Sequence, residues 1–400
     1  MHRRRSSAAF TIVVTIVMLV GAAVMGLVLL LSGAPGALVV GVVLAAVPVG
    51  PLIWVYLWLD RYEPEPRSLL VMGLGWGAFV ATSGALLLQL FDELIFSTTD
   101  VVSATIVAPI TEEGAKGLFI LLLLFYRRHE LDGILDGLVY AGMVGIGFAF
   151  TENILYLTSA YVGEEGQAGG IGGAVGLFIV RCIFGPFAHP FFTAFTGIGI
   201  GIAVVARTRS VRILAPFAGY VVAVLAHAAW NGSLMLDDGR NALATYFFLM
   251  VPAFLLLIGF AVWSRRREGG VLTAALTDCA QRGFLDPAEI PWLARIPARR
   301  FARRYAEKVG GQPARRAMVA YQNEAVELGF LHSRFLRGVP PPDFAAIGQE
   351  HVDRMRALRP GLVWPQPALG WGPTQMPAVS GGQWTSQGVG PGGPGSGAGR

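Results

Sequence analysis

Charge is scarce in this 400-residue chain. Asp, Glu, Lys and Arg together make up 14% of it, where a soluble domain carries about a quarter. The shortage excludes an ordinary soluble domain. With 54% hydrophobic residues and a mean hydropathy of +0.57, the composition reads as a membrane protein before any motif is considered. Cysteine is limited to Cys182, in an apolar run, and Cys279, in a polar region, so no disulfide framework is implied. Lysine is limited to Lys116 and Lys308. GxSxG, HExxH and a paired GxGD-type aspartate signature are all missing. These gaps speak against a nucleophile elbow, a zincin helix and an intramembrane aspartyl site. No internal repeat is visible.

What is present is a series of apolar runs, each near the roughly 20 residues that a helix needs to cross a bilayer. Eight are expected, at about 9–31, 36–59, 68–91, 101–126, 133–160, 172–206, 212–235 and 242–263. The first follows Arg3, Arg4 and Arg5. Its apolar core is longer than a signal peptide's and ends in no A-x-A site, so it reads as a retained span. Arginines gather in alternate loops: Arg61 and Arg67, Arg127 and Arg128, Arg207 to Arg212, and 265–267. The other loops carry acids: Asp92, Glu93 and Asp100, then Glu164 and Glu165, then Asp237 and Asp238. Positive residues stay cytoplasmic, which places both termini inside. The same rule makes 172–206 a single crossing, kinked at Pro186 and Pro190.

Ionisable groups in a membrane span cost about 2.5–3.5 kcal/mol each on insertion scales, yet four consecutive spans hold several. The fourth carries Glu112, Glu113 and Lys116 in TEEGAK; the fifth carries Asp136 near its start and Glu152 and Asn153 in FAFTEN. The sixth carries Arg181 and His189 in FGPFAHPFFT, and the seventh His227, Trp230 and Asn231 in HAAWN. Of six histidines, only His189 and His227 fall in spans. Glu112 and Lys116 are four residues apart, as are His227 and Asn231 and Phe148 and Glu152, so each pair shares a helix face. Gly114, Ala115, Gly142, Gly145, Gly147, Gly197, Gly199 and Gly201 occupy the same spans, and small residues let helices approach closely in lipid. The spacing predicts a tight bundle with an inward polar cluster.

Such a cluster suits hydrolysis. A carboxylate with a partner histidine serves as a base. A histidine or asparagine donates to an oxyanion, and a Glu/His set also suits zinc. Each residue has a plainer reading as well. Glu112–Lys116 is alone as well explained by an ion pair locking the bundle. A single buried histidine or asparagine is more often interhelical glue. Asp136 reads as structural, Trp230 as packing, and Arg181 as a partner to an acid or to a lipid headgroup. The functional reading rests on their co-occurrence.

The order EExxK, an aspartate–glycine helix ending in Glu–Asn, a histidine before FFT, then HxxxN resembles the PrsW family of intramembrane proteases, related to the CAAX-prenyl endopeptidase and bacteriocin-processing superfamily. DRYEPEP, from Asp60 to Pro66, is similar to a segment of that family. The resemblance spans about residues 55–235. It implies a catalytic set of Glu112, Glu113, Lys116, Glu152, His189, His227 and Asn231, with Asn231 orienting or holding an oxyanion. If a metal is used, it implies Glu113, Glu152, His189 and His227 as ligands. The wider superfamily shows EExxxR and FxxxH, where this chain has Lys116 one residue closer and Glu152 in place of the histidine. Either Glu152 does that histidine's work or His189 does. The resemblance allows Zn2+ or a metal-free, glutamate-activated water. It implies a membrane-anchored protein substrate in the lipid bilayer, such as an anti-sigma factor, and no nucleic acid.

The expected architecture is therefore all-α and polytopic, with about eight transmembrane helices. It comprises a transmembrane protease domain (1–264), a small cytoplasmic basic helical region (265–356) and a disordered Pro/Gly-rich tail (357–400). In the basic region, Arg299, Arg300, Arg303, Arg304, Arg315 and Arg316 suit an acidic partner or the anionic leaflet, although a solvated basic face is the simpler reading. Two other functions remain open: a proton- or ion-coupled transporter using the same groups as a relay, and a catalytically inactive scaffold.

Overall fold

The computed structural model describes residues 2–31, 34–163, 169–236 and 240–365. The expectations for Glu164, Glu165, Asp237, Asp238 and the tail beyond 365 fall outside these. Among the described residues the elements are all helices, with no strand. Contacts divide the chain into two compact units, Met1–Ser264 and Arg265–Arg400.

In the first unit, α1 (His2–Leu31) is the first span, and α2 (Pro35–Ala46) and α3 (Val49–Leu59) share the second. The third consists of α4 (Arg67–Gly75), a π-helical stretch (Trp76–Ala81) and α5 (Thr82–Phe96). Next come α6 (Asp100–Val102), a π stretch (Ser103–Val107) and α7 (Ala108–Tyr126); then α8 (Ile134–Val162). The sixth span holds α9 (Gly170–Phe178), a π stretch (Ile179–Phe184) and α10 (Ala188–Val205). It is followed by α11 (Arg209–Met235), α12 (Ala242–Thr245), a π stretch (Tyr246–Met250) and α13 (Val251–Gln281). Seven of these segments are long and apolar enough to cross a membrane. The remaining expected span, the fourth, covers Asp100–Tyr126 here; it matches them in length but carries Glu112, Glu113 and Lys116 in its middle. Outward side chains such as Phe248 (84% exposed) and Leu256 (76%) are apolar, as a lipid-facing surface requires.

α8 is the axis of this unit: 89% of its most apolar stretch is buried, against 11% for α11. The other helices approach it through glycine. A Cβ at Gly137 would lie 2.1 Å from the Gly197 carbonyl oxygen, and one at Gly147 would lie 1.9 Å from that of Leu74. Only hydrogen leaves room for backbones this close. The sixth span runs antiparallel along α8 for its whole length. Gly201 meets Gly133 and Ile134, Gly197 meets Gly137, and Pro190 meets Gly145; Cys182 and Leu177 pack with Ile154 and Leu157. It is thus one partner of α8, but the expected kink is a full interruption. The helix stops at Gly185 and restarts at Ala188, because Pro186 offers no N–H and its ring displaces the preceding turn. Pro190 sits in the first turn of α10, where no helical N–H donor is needed. The break sets His189 at the head of a new helix.

Three of the π stretches run up to a proline: Pro109, Pro186 and Pro252. A proline ring excludes the carbonyl one turn back and widens the helix there. In the first turn of α7, the Thr111 hydroxyl donates back to the carbonyls of Val107 and Ala108.

The second unit packs the end of α13 against α14 (Ile290–Ala294), α15 (Ile296–Leu336) and α16 (Phe344–Leu358) around Leu272, Leu276, Tyr321, Leu328, Val352 and Met355. α15 bends at Gly311, whose φ of +69° suits glycine. Composition places the start of the tail at 357. Instead α16 runs to Leu358, Arg359 pairs with Glu289 at 3.0 Å, and Trp364 packs edge-on against Tyr321. The prolines at 360 and 365 lower the helical signal there without ending the fold.

Candidate active site

The TEEGAK spacing places Glu112, Glu113 and Lys116 on the face of α7 turned toward α8, α10 and α11. Lys116 is fully buried. Its Nζ donates to Glu113 Oε1 at 2.9 Å, Glu112 Oε2 at 3.3 Å and His189 Nδ1 at 3.0 Å, and lies 3.6 Å above the Phe148 ring. An ammonium group has three protons, and all three are used. Glu113 is likewise sealed. Oε1 also takes a bond from His227 Nδ1 at 3.0 Å, and Oε2 takes one from the Thr193 hydroxyl at 3.0 Å. Thr193 lies four residues beyond His189 and so shares its helix face.

Each imidazole is held by a carboxylate at one nitrogen. His227 donates from Nδ1 to Glu113, leaving a lone pair on Nε2, which lies 3.9 Å from Glu112 Oε2. His189 donates from Nε2 to Glu152 Oε2 at 2.6 Å, leaving Nδ1 to accept from Lys116. A ring fixed by a carboxylate at one nitrogen is the usual posture of a metal-ligating histidine; the second nitrogen is open in His227 and taken by Lys116 in His189. Ligand atoms of Glu112, His189 and His227 lie within 4.8 Å of one another, the sole such group of three among the described residues. Glu113 and Glu152, expected as ligands, stand behind the rings instead, while Glu112, expected only as catalytic, supplies the carboxylate of the triad.

The charges point the same way. Glu112, Glu113 and Glu152 face two cations, Lys116 and Arg181, so with neutral imidazoles the cluster carries one uncompensated negative charge. A buried charge left alone is costly, and a cation or a proton would balance this one. The donor set, two imidazoles and a carboxylate, matches known catalytic zinc sites.

The cluster opens into a cavity of about 720 Å³. Glu112, Glu152, Arg181, His189, His227 and Asn231 line it; Glu113 and Lys116 do not. Asn231 is brought to the wall, but its amide donates to the Ala104 carbonyl at 2.9 Å, tying α11 to the π stretch before α7. Gln89 donates to Glu112 Oε1 at 3.4 Å. Sequence reasoning misses Gln89, because a lone glutamine in a span carries no signal without its partner, and it takes Thr193 only as part of the FFT motif, with no role of its own. Arg181 pairs with an acid, as expected, and that acid is Glu152. Asp136 bonds back to the amides of Asp132 and Gly133, capping α8 at a distance from the cluster's contacts.

A polytopic helix bundle that gathers carboxylates, imidazoles and a buried lysine beside a cavity is an intramembrane hydrolase in class. Residues 65–257 match the family described as PrsW family intramembrane metalloprotease. Protease PrsW of Clostridioides difficile (strain 630) is 27% identical over 199 residues, covering 47% of this chain and 77% of that protein. The Protease PrsW of Geobacillus kaustophilus (strain HTA426) is 26% identical over 200 residues, 48% and 80% of the two chains. That of Bacillus subtilis (strain 168) is 23% identical over 231 residues, 58% and 96%. No solved structure gives a significant match. The match covers most of the membrane unit, and the chain is a multi-pass membrane protease, similar to the PrsW family, whose substrate is embedded in the bilayer. The matched region, set against the expected 55–235, starts later and reaches into the last span.

Proposed function

We propose that this protein hydrolyses a peptide bond of a single-span membrane protein, in the cavity beside Glu112, Glu152, His189 and His227. The observation that supports this reading most is the pair of carboxylate-held imidazoles gathered with Glu112 (Glu113 behind His227, Glu152 behind His189). Glu112 Oε2, His189 Nδ1 and His227 Nε2 would hold a divalent ion such as Zn2+, which when bound polarises a carbonyl and lowers the pKa of a bound water. To offer Nδ1, His189 gives up its bond from Lys116, which keeps its two carboxylates. That bond is also the one observation favouring a metal-free site, in which a glutamate alone activates the water.

Glu152 is the proton carrier. Its Oε2 is engaged by His189 and Arg181, while Oε1 has no partner among the described residues and lines the cavity. It takes a proton from the attacking water and returns it to the departing amine nitrogen. Glu113 and Lys116 are positioning groups, sealed from the substrate. Asn231 shapes the wall. An anti-sigma factor is the substrate class that the family resemblance favours. The arginine distribution supports cytoplasmic termini, with 265–365 forming a cytoplasmic helical domain.

The test is co-expression of a tagged single-span anti-sigma factor with wild type, E112Q, E152Q or H227Q, each shown to accumulate. Cleavage by wild type and its loss in all three variants supports the site. Cleavage that persists in E112Q and H227Q removes it.

A further inference from the structure

The cavity wall carries a cation that the hydrolytic reading leaves without a task. Arg181 lies in the π stretch Ile179–Phe184, just before the break that ends at α10. Its guanidinium is anchored on one side only. Nη2 donates to Glu152 Oε2, Nε donates to Asn153 Oδ1 at 2.8 Å, and the plane stacks on Tyr156 with Cζ 4.0 Å from the ring centroid. Nη1 makes no hydrogen bond among the described residues, and the side chain, 23% exposed, lines the cavity. Arg181 thus presents an immobilised, charged N–H pair to the same space as the free oxygen of Glu152.

A membrane-spanning substrate reaches a protease as a helix, with every carbonyl satisfied internally. To expose a peptide bond it must unwind, and each carbonyl freed in a water-poor cavity then needs a donor. Glu112 and Glu152 cannot supply one, being acceptors, and Asn231 has committed its amide to Ala104. We propose that Arg181 Nη1 binds a main-chain carbonyl of the unwound substrate beside the scissile bond, making Arg181 a substrate-binding residue selective for segments that break their helix. This rests on the hydrolytic reading of the cavity and extends it to how substrate is chosen. The net charge of the Arg181–Glu152 pair is zero, so the ligand is a neutral carbonyl rather than an anion.

The test uses two synthetic Leu/Ala peptides of about 25 residues, long enough to span a bilayer, one uninterrupted and one with a central Gly-Pro-Gly. Binding to the purified full-length protein in micelles is read by fluorescence anisotropy, with mass spectrometry to show whether the peptide stays whole; if it is cut, KM replaces Kd. Wild type is expected to prefer the interrupted peptide. R181M loses that preference by about tenfold, the scale of one charge-assisted hydrogen bond, and R181K keeps part of it. Zinc content stays at the wild-type value in both, while R181M lowers the unfolding temperature by breaking the ion pair with Glu152. The proposal is overturned if wild type shows no preference, if R181M keeps it, or if E152Q, which breaks the same ion pair and leaves Arg181 in place, loses the preference as fully as R181M does. That last pattern would assign Arg181 to holding Glu152 alone. Failure of wild type to cleave any anti-sigma factor, with the preference intact, would count against the hydrolytic reading and not against Arg181.

Discussion

Glu113 Oε1 lies 3.0 Å from His227 Nδ1 and 2.9 Å from Lys116 Nζ, with no exposed surface on either carboxylate or ammonium. One oxygen therefore fixes the tautomer of the histidine and neutralises the lysine at once. Glu112 next to it in sequence faces the cavity. Of the two adjacent glutamates in the EExxK motif, one is turned to the cavity and one is buried against Lys116 and His227.

Replacing Glu113 with glutamine should test that arrangement. An amide keeps one oxygen toward His227 and Lys116 but is a weaker acceptor than a carboxylate and cannot neutralise Lys116. Cleavage is expected to fall by about 10–100-fold, the usual effect of losing a carboxylate behind a ligating histidine. The unfolding free energy should fall by about 3–5 kcal/mol, the scale for breaking a buried pair. E113Q combined with K116M should recover part of that stability, since neither charge is then stranded, while cleavage stays low. Thermal unfolding in micelles and cleavage rate read the two effects separately.

Metal analysis of the purified protein should find about one zinc per chain, and a chelator should abolish cleavage with zinc restoring it. H189Q, H227Q and E112Q should each lose the metal. E152Q should keep it with affinity lowered about 10–100-fold, because Glu152 orients a ligand and is not one. A chain that holds no metal yet cleaves in the presence of chelator would instead establish the glutamate-only reading.

The polar cluster is legible in the sequence because ionisable residues in apolar spans are rare enough to stand out, and i,i+3 and i,i+4 spacing puts Glu112, Glu113 and Lys116 on one face. Which carboxylate meets which imidazole is not legible. That depends on α7, α8, α10 and α11 meeting through glycine, and on whether the prolines of the sixth span kink the helix or interrupt it. Hence the family resemblance points to Glu113 and Glu152 as ligands while the fold groups Glu112 with His189 and His227, and nothing in the sequence marks Gln89. In the second unit, composition sets the end of the fold at 356, although Trp364 and Arg359 dock on Tyr321 and Glu289; two prolines in sequence look the same whether the segment is packed or not.

The glycine contacts along α8 predict unequal tolerance to alanine. At Gly197 a Cβ would fall 2.2 Å from the Gly137 carbonyl oxygen, a backbone atom that cannot rotate away. G197A should push α10 off α8, lower the unfolding temperature at a cost of about 1–3 kcal/mol, and reduce cleavage because His189 rides on α10. A methyl group at Gly84, inside α5, would meet nothing within 4 Å, so G84A should be neutral or stabilising by up to about 1 kcal/mol.

The turn between the second and third spans predicts a pH dependence of stability. Asp60 and Glu65 are both buried there. The Asp60 carboxylate accepts from the Glu65 amide at 2.9 Å, and Glu65 accepts from the Tyr140 hydroxyl at 2.6 Å. Burial pushes the Asp60 carboxyl up to about 8, with the nearby Asp136 adding to it against the amide bond. Burial also pushes Glu65 well up, with Asp136 and Asp60 adding to it and the Tyr140 bond opposing. An acid whose folded pKa exceeds its unfolded value holds a proton in the folded state that the unfolded chain has already released. Its contribution is fully present below about pH 4 and is lost as pH rises toward 8. The unfolding temperature in micelles should therefore fall between pH 5 and pH 8 and level off above. D60N should flatten part of that slope and D60N/E65Q most of it, both variants gaining over wild type at pH 8.5. A wild-type unfolding temperature that rises across this interval would show that the two carboxylates are ionised in the folded protein.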